Sequence, residues 1–530
     1  MSIVVHSLSY SHPDRTLLFE NLHLTVGKGE KASLVGNNGV GKSTLLQLIA
    51  GRLRPSAGEI VLSSVPYYVP QHMGQYDHLS VAQAVGVAEK LRALHAILNG
   101  DASAENFTVL NDDWGLEERV QAALAYWRLA HLSLEQPMHT LSGGEKTKVF
   151  LAGILMQEPA IVLLDEPSNH LDAASRTQLY EFIRRSKETV LVVSHDRTLL
   201  NFLDTTLELS KNAVEVYGGN YSFYKEQKQG QLAALQAHVG EQEKTLKQTQ
   251  QKARDLAEQR QKLEARGKAQ QHKKGLPRIV AGNLKIQAQQ SSAQQKEVQN
   301  EKITAVADHL TQLRTLIQEQ SMLRTDLRKS TLHHGKILLD ARALTYAYGA
   351  RVLWPEPLNF QVRSGDRIRI AGNNGSGKTT LLHLLLGSTL PTIGEVLRAD
   401  FHAVYLDQEY SLVNAQLSVF EQVQRFNDRH LPEHEVKTLL HYHQFPSETW
   451  DRKCAGLSGG EKMKLVLCCL VVSNNTPDLL VLDEPTNNLD VHSQEVLTAA
   501  VKDFTGAVVV VSHDQYFINE IGINQHIQLA

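Results

Sequence analysis

One motif governs what this chain can fold into, because it occurs twice. "GNNGVGKST" spans Gly36–Thr44 and "GNNGSGKTT" spans Gly372–Thr380. Each follows a short apolar run, "KASLVG" or "RIRIAG", and leads into "STLLQLIAG" or "TTLLHLLLG". Strand, glycine-rich loop and helix in that order read as a phosphate-binding loop. Its glycines let backbone N–H groups turn inward around a phosphate. Lys42 and Lys378 then neutralise phosphate oxygens, while the Ser43 and Thr379 hydroxyls hold Mg²⁺. The candidate nucleotide-binding residues are Gly36, Asn37, Asn38, Gly39, Gly41, Lys42, Ser43 and Thr44 in the first copy. In the second they are Gly372, Asn373, Asn374, Gly375, Gly377, Lys378, Thr379 and Thr380.

Other motifs repeat in the same order. "LSGGEK" begins at Leu141 and Leu457, "LLDEPSNHLD" at Leu163 and "VLDEPTNNLD" at Val481, and "VVSHD" at Val192 and Val510. Two copies of one α/β domain account for this, and 530 residues are too many for a single core. The continuous apolar runs before the acids and before "SHD" read as strands buried on both faces. Ligands gather at the carboxyl ends of such strands. Asp165 and Asp483 are therefore candidate Mg²⁺ ligands, and Glu166 and Glu484 candidates to orient or activate an attacking water. His195 and His513 are placed to reach a terminal phosphate, and Gln71 and Gln408 to sense Mg²⁺ and water. Both copies are chemically complete, so both are expected to hydrolyse nucleotide. One interval differs: Lys42 to Ser142 is longer than Lys378 to Ser458. The extra length, around "VAEKLRALHAILNGDASAENFTVLNDDWGLEERV", reads as helix, loop, helix.

Between the copies lies a connector, roughly 225–334, with 20 Lys or Arg against 11 Asp or Glu. The whole chain has 54 against 57, so positive charge is concentrated here. Leu232, Leu235, Val239, Leu246, Ala253, Leu256 and Leu263 mark one helical seam, and Ile303, Val306, Leu310, Leu313 and Ile317 a second. Gly267, Gly275, Pro277 and Gly282 lie between them, where helices break. The reading is an antiparallel helical hairpin whose tip, about 266–285, is basic. No acid occurs between Glu264 and Glu297, and Lys273, Lys274 and Arg278 are the candidate RNA contacts. The expected domains are 1–224, 225–334 and 335–530.

The small residues of "LSGGE" before a helix make a second anion site in each copy, superfluous unless each copy serves the other's nucleotide. Here the chain resembles the ATP-binding cassette (ABC) ATPases, in both repeats and with every motif intact. The resemblance implies two cassettes closing head to tail around two ATP molecules within one monomer. Ser142, Gly143 and Gly144 would complete the site built on Lys378, and Ser458, Gly459 and Gly460 the site built on Lys42. Asp172 and Asp490 match the family's D-loop and would couple the sites. Tyr348 fits the adenine-stacking position; in the first copy His12 stands there with Tyr10 nearby. "YGGNYSFYKEQK", the charged two-helix linker, "DEPSNHLD" and "DEPTNNLD" are similar to the ABC-F subfamily. That resemblance implies a cytoplasmic factor bound at the ribosomal exit site, its linker approaching P-site tRNA and the peptidyl transferase centre. The role would be translation factor or antibiotic protection.

Two other readings compete. A tandem ATPase subunit of a membrane importer has no reason to carry this arm, and the longest apolar stretches, such as Leu465–Val472, fall far short of the ~20 residues of a span. A DNA-remodelling ATPase of the excision-repair kind needs zinc modules that Cys454, Cys468 and Cys469 cannot build. Those cysteines read as small apolar residues, with no disulfide framework.

Overall fold

The computed structural model describes residues 2–101, 103–210, 213–271, 304, 306–311, 313, 332–349, 351–373, 375–473, 477–487 and 489–529. Asn374 and the basic residues Lys273, Lys274 and Arg278 lie outside the described residues. The chain divides into one unit made of Met1–Ser222 with Leu323–Ala530, and another of Phe223–Met322.

In the first repeat the apolar runs become the middle of a six-stranded sheet in the order Tyr67–Val69, Ile161–Asp165, Thr189–Val193, Lys31–Val35, Thr205–Leu209, Val214–Tyr217. All neighbours are parallel except the last pair. Ile161–Asp165 and Thr189–Val193 are buried along their whole length, as near-continuous Val, Ile and Leu require. The second repeat has the same order in five parallel strands: Ala403–Leu406, Leu479–Asp483, Ala507–Val511, Arg367–Ala371, Gln525–Gln528. A three-stranded antiparallel sheet packs on each, with Ile3–Ser11 central in one and Ile337–Thr345 in the other. The repeat extends to backbone irregularities that no motif advertises. Gly58 and Gly394 both have φ +84°, and a Cβ on either would come within 2.3 Å of a carbonyl oxygen, that of Ser7 or Ala343.

Each repeat also carries a helical layer ending in the helix that follows "LS": Gly143–Gln157 in the first and Gly459–Val472 in the second. All three cysteines are free and buried in the second repeat, packed as small apolar residues. The longer first repeat adds Ala88–Leu98, Ala104–Leu110 and Leu116–Tyr126. The expected loop thus holds a short helix of its own. Leu110 is fully buried and Phe107 meets the Trp114 ring edge-on at 6.1 Å, which gives that segment an apolar anchor.

The connector begins with a single helix, Tyr221–Gln271, of 51 residues. It runs through Gly267 instead of breaking there. One glycine costs a helix only ~1 kcal/mol relative to alanine, and good helix formers flank it. The described seam residues Leu232, Leu235, Val239, Leu246 and Ala253 are half-buried, while Leu256 is exposed. The His238 and His309 rings meet edge-on at 5.9 Å, and Leu310 and Leu313 are buried, so the chain returns alongside the outgoing helix. The fold is α/β, with two copies of one sheet arrangement joined along the chain by this helical segment. Among the described residues no helix is long and apolar enough to cross a membrane.

Candidate functional site

The two phosphate-binding loops are built alike. Gly41 and Gly377 start the helices Lys42–Ile49 and Lys378–Leu386 in the left-handed region, with φ 102° and 89°. A side chain at Gly41 would also run into the Phe19 ring at 2.5 Å. The Lys42 ammonium donates to the carbonyls of Gly36 at 2.7 Å and Asn37 at 3.1 Å. Lys378 donates to those of Gly372 and Asn373, both at 3.0 Å. Each loop thereby curls around its own lysine, and the helix N-terminus behind it favours an anion.

The carboxylates sit at the strand ends as expected. Ser43 Oγ donates to Asp165 Oδ1 at 3.0 Å, and Thr379 Oγ1 to Asp483 Oδ2 at 2.8 Å. A tyrosine holds each acid from the adjacent strand: Tyr68 to Asp165 at 3.1 Å and Tyr405 to Asp483 at 3.3 Å. Both tyrosines were missed from sequence, although a signal existed, since each stands three residues before its glutamine, Gln71 or Gln408. A hydroxyl beside a carboxylate is the hard-oxygen donor pair that Mg²⁺ takes from a protein when phosphates and water complete its shell. Among the described residues no cluster of His, Cys, Asp or Glu forms a protein-only metal cage. The donor set therefore fits Mg²⁺ held jointly with nucleotide.

One residue on, Glu166 and Glu484 adopt φ 50° and 47°, a left-handed backbone that non-glycine residues seldom keep without a reason. Their N–H groups donate to Val193 and Val511 carbonyls at 2.8 Å, which turns both side chains off the sheet edge in the same way. The His195 and His513 backbone N–H groups donate to the Oε2 atoms, at 3.2 and 3.3 Å. The imidazole Nε2 atoms lie 3.3 and 3.4 Å from the Oε1 atoms. Glu166 Oε1 nonetheless has no aligned hydrogen bond among the described residues, nor does His513 Nε2. Burial pushes the Glu166 carboxyl up to about 8, against the attraction of Lys42. Burial pushes Glu484 up to about 7, against Arg176. His195 falls to about 3 through burial and the charge of Lys42. His513 falls to about 4 through burial and Lys378. Both imidazoles are neutral at physiological pH.

The repeats meet at these sites. The Asn38 N–H donates to Asp490 Oδ2 at 3.0 Å, so the first phosphate loop touches the second repeat's aspartate. Ser458 of the second repeat lines a cavity of about 230 Å³ with Asn38, Gln71, Glu166 and His195 of the first. At the second site, the neighbours contributed by the first repeat are Asp172 and Arg176, whose charges act on His513. Ser142 and Ser458 cap their helices, each paired with the glutamate at Glu145 or Glu461 in a reciprocal box. A Cβ on Gly144 would lie 2.7 Å from the His170 carbonyl, and one on Gly460 2.6 Å from Ser493 Oγ. Tyr348 is exposed and its hydroxyl lies 3.2 Å from Thr380 Oγ1, beside the second loop. In the first repeat His12 borders the loop cavity with Gly41, Lys42 and Thr44, while Tyr10 is buried in the core. Gln408 is exposed, two residues past the end of its strand.

The family model described as "ABC transporter" matches residues 19–169 and 355–487. Ribosome protection protein VmlR of Bacillus subtilis is 29% identical over 98% of this chain and 85% of its own length. ABC transporter F family member 5 of Arabidopsis thaliana is 28% identical over 95% of this chain and 71% of its own. Among solved structures, the RNase-L Inhibitor superposes with a TM-score of 0.58 at 20% identity, over 98% of this chain and 87% of that one, a likeness of fold. Doubled phosphate loops, doubled strand-end carboxylates, doubled "LSGG" helices and these matches lead to one conclusion: the chain belongs to the ABC transporter family, in its ABC-F branch, and is an ATPase.

Proposed function

We propose that this ATPase is a cytoplasmic, monomeric ribosome-directed factor whose linker acts on P-site tRNA or the peptidyl transferase centre from the exit site. What carries the reading is the match, over 98% of the chain, to a ribosome protection protein. It is supported by the pairing of two cassettes with a basic helical arm in a chain without an apolar span among its described residues. The reading divides the chain into cassettes at 1–224 and 335–530 with the arm between them.

Within each site, Lys42 or Lys378 neutralises the ATP phosphates. Ser43 with Asp165 and Thr379 with Asp483 would hold Mg²⁺, and Gln71 and Gln408 would sense it and the water. Held there, Mg²⁺ would supply charge neutralisation to the phosphates. Glu166 and Glu484 orient the attacking water and take up its proton, and neutral His195 and His513 sense the terminal phosphate. Ser458, Gly459 and Gly460 close over the first ATP, and Ser142, Gly143 and Gly144 over the second. Asp172 and Asp490 couple the two sites, and Tyr348 stacks on the second adenine. The contact between Asn38 and Asp490 supports this head-to-tail pairing.

The test uses the Glu166→Gln, Glu484→Gln protein sedimented with bacterial ribosomes, with and without ATP. ATP-dependent co-sedimentation is expected. Replacing Lys273, Lys274 and Arg278 with acids weakens it by at least about tenfold, steepest at low salt. A protein that binds ATP but stays in the supernatant overturns the ribosome reading. Co-purification with membranes would then favour the importer, and preference for branched DNA the remodelling enzyme.

A further inference from the structure

The helix that opens the connector is rooted in contacts from both cassettes. Tyr221, its first residue, is buried. The Ser222 N–H and hydroxyl both donate to Asn201 Oδ1, at 2.9 and 2.8 Å. Asn220 Nδ2 donates to the Asn201 carbonyl at 3.4 Å. Asn201 in turn ends the short helix Arg197–Leu200, whose N–H groups at Thr198 and Leu199 bond to Asp196 Oδ1. That helix has only four residues. A single turn therefore joins the segment carrying His195, at the first ATP site, to the first turn of the arm.

The second cassette meets the same root. Asp490 caps the helix Val491–Asp503 through Oδ1, and its Oδ2 accepts from the Asn38 N–H of the first phosphate loop. Val491 and Glu495 lie one turn apart on that helix. Arg197 Nη2 lies 3.5 Å from Val491 O, and the Tyr221 hydroxyl 3.5 Å from Glu495 Oε1. The Arg197 guanidinium also lies over the Tyr516 ring, 4.7 Å from its centre. Arg197 is 1% exposed, yet its Nε and Nη1 have no acceptor among the described residues. A cation buried with so few bonds is costly, which removes stability as its reason to be there. The reverse pairing is not built from the same residues. Gln515 follows His513 as Arg197 follows His195, but it is exposed and bonds to Asn519 of its own helix at 3.0 Å. Thr177 follows Asp172 as Glu495 follows Asp490, and its hydroxyl donates to Ala173 O of its own helix at 3.0 Å.

We propose that the direction of the arm is set by the first ATP site and not by the second. Nucleotide held on Lys42 moves the arm root along two contiguous routes. One runs from His195 through Arg197 and Asn201 to Ser222. The other runs from Asn38 through Asp490 and its helix to Arg197 and Tyr221. The proposal rests on the reading of the two loops as ATP sites and of the arm as the acting element, and it needs no ribosome.

Pulsed electron paramagnetic resonance on the full chain, without ribosomes, tests it. Spin labels are placed at Glu20→Cys in the first cassette and Lys252→Cys in the arm, both exposed, while the chain's own cysteines are buried. The Glu166→Gln, Glu484→Gln background keeps ATP bound. Lys252 stands some 45 Å from the root at ~1.5 Å per residue, so a turn of about 10° moves it by roughly 8 Å. ATP is expected to shift the label distance by about this amount. Lys42→Ala, which empties the first site, abolishes the shift, and Lys378→Ala keeps it. Arg197→Gln installs the other cassette's residue, and Tyr221→Phe removes a single hydroxyl; each reduces the shift by about half or more, as expected for a route with two branches. No shift with ATP, the same result in both lysine variants, or a full shift in both Arg197→Gln and Tyr221→Phe overturns the proposal. A shift that behaves as expected in a protein that fails to co-sediment with ribosomes would remove the ribosome reading and leave the proposal standing.

Discussion

Single-turnover ATP hydrolysis by the Glu166→Gln, Glu484→Gln protein falls by about 10²–10⁴, the range for loss of a positioned general base. ATP binding survives. Each glutamine keeps the shape of the carboxylate and its acceptance of the His195 or His513 N–H, at 3.2 and 3.3 Å, so the sites are preserved. What disappears is the group that can orient a water by accepting from it and receive its proton. Phosphate contacts are untouched, because the lysines and loop N–H groups lie on other segments. Rapid-quench measurement of product with pre-bound ATP reads the loss directly. A double variant within about threefold of the unsubstituted rate would remove these carboxylates from the chemistry.

The second large effect is on stability and its pH dependence. Nucleotide-free Glu166→Gln protein is expected to melt higher than the unsubstituted chain at pH 9 and at the same temperature at pH 4. Burial raises the Glu166 carboxyl from 4.5 to about 8, so the folded chain holds this proton more tightly than the unfolded chain does. Stability from this group is therefore greatest below about 4.5, declines as pH climbs through the window, and is fully lost above about 8. Glutamine has no proton to lose and escapes the decline. The gap at pH 9 is on the order of 5 kcal/mol. Glu484 changes in the same direction over a narrower window, since it rises to about 7. Thermal melts of both single variants across pH check this. A difference constant with pH would mean that the glutamine acts by packing and not by charge.

Much of the site was legible before any coordinates, for a physical reason. Phosphate loops, strand-end acids and capped helix N-termini are local devices whose chemistry is written in consecutive residues. Gly41 must reach φ 102°, and Ser142 must accept from Glu145 N. The repetition of each device made chance matches untenable. Tyr68 and Tyr405 escaped notice because a single hydroxyl reaching an acid on a neighbouring strand leaves no consecutive pattern. The short helix at Ala104–Leu110 escaped because its seven residues include one buried side chain, Leu110, too few to mark a helical period. Gly267 reads locally as a breaker, but 51 residues of cooperative helix outweigh the small cost of one glycine.

The sequence by itself determined that one cassette occurs twice, where its phosphate-loop and strand-end motifs lie along the chain, and that the segment between the copies is basic. Those properties depend on residue type and on spacing along the chain. The tertiary structure alone decided that Asp490 meets Asn38 and that Ser458 shares a cavity with Glu166. Those are pairings between residues hundreds of positions apart. Burial and Coulomb energies depend on distance in space, which no periodicity along a chain encodes.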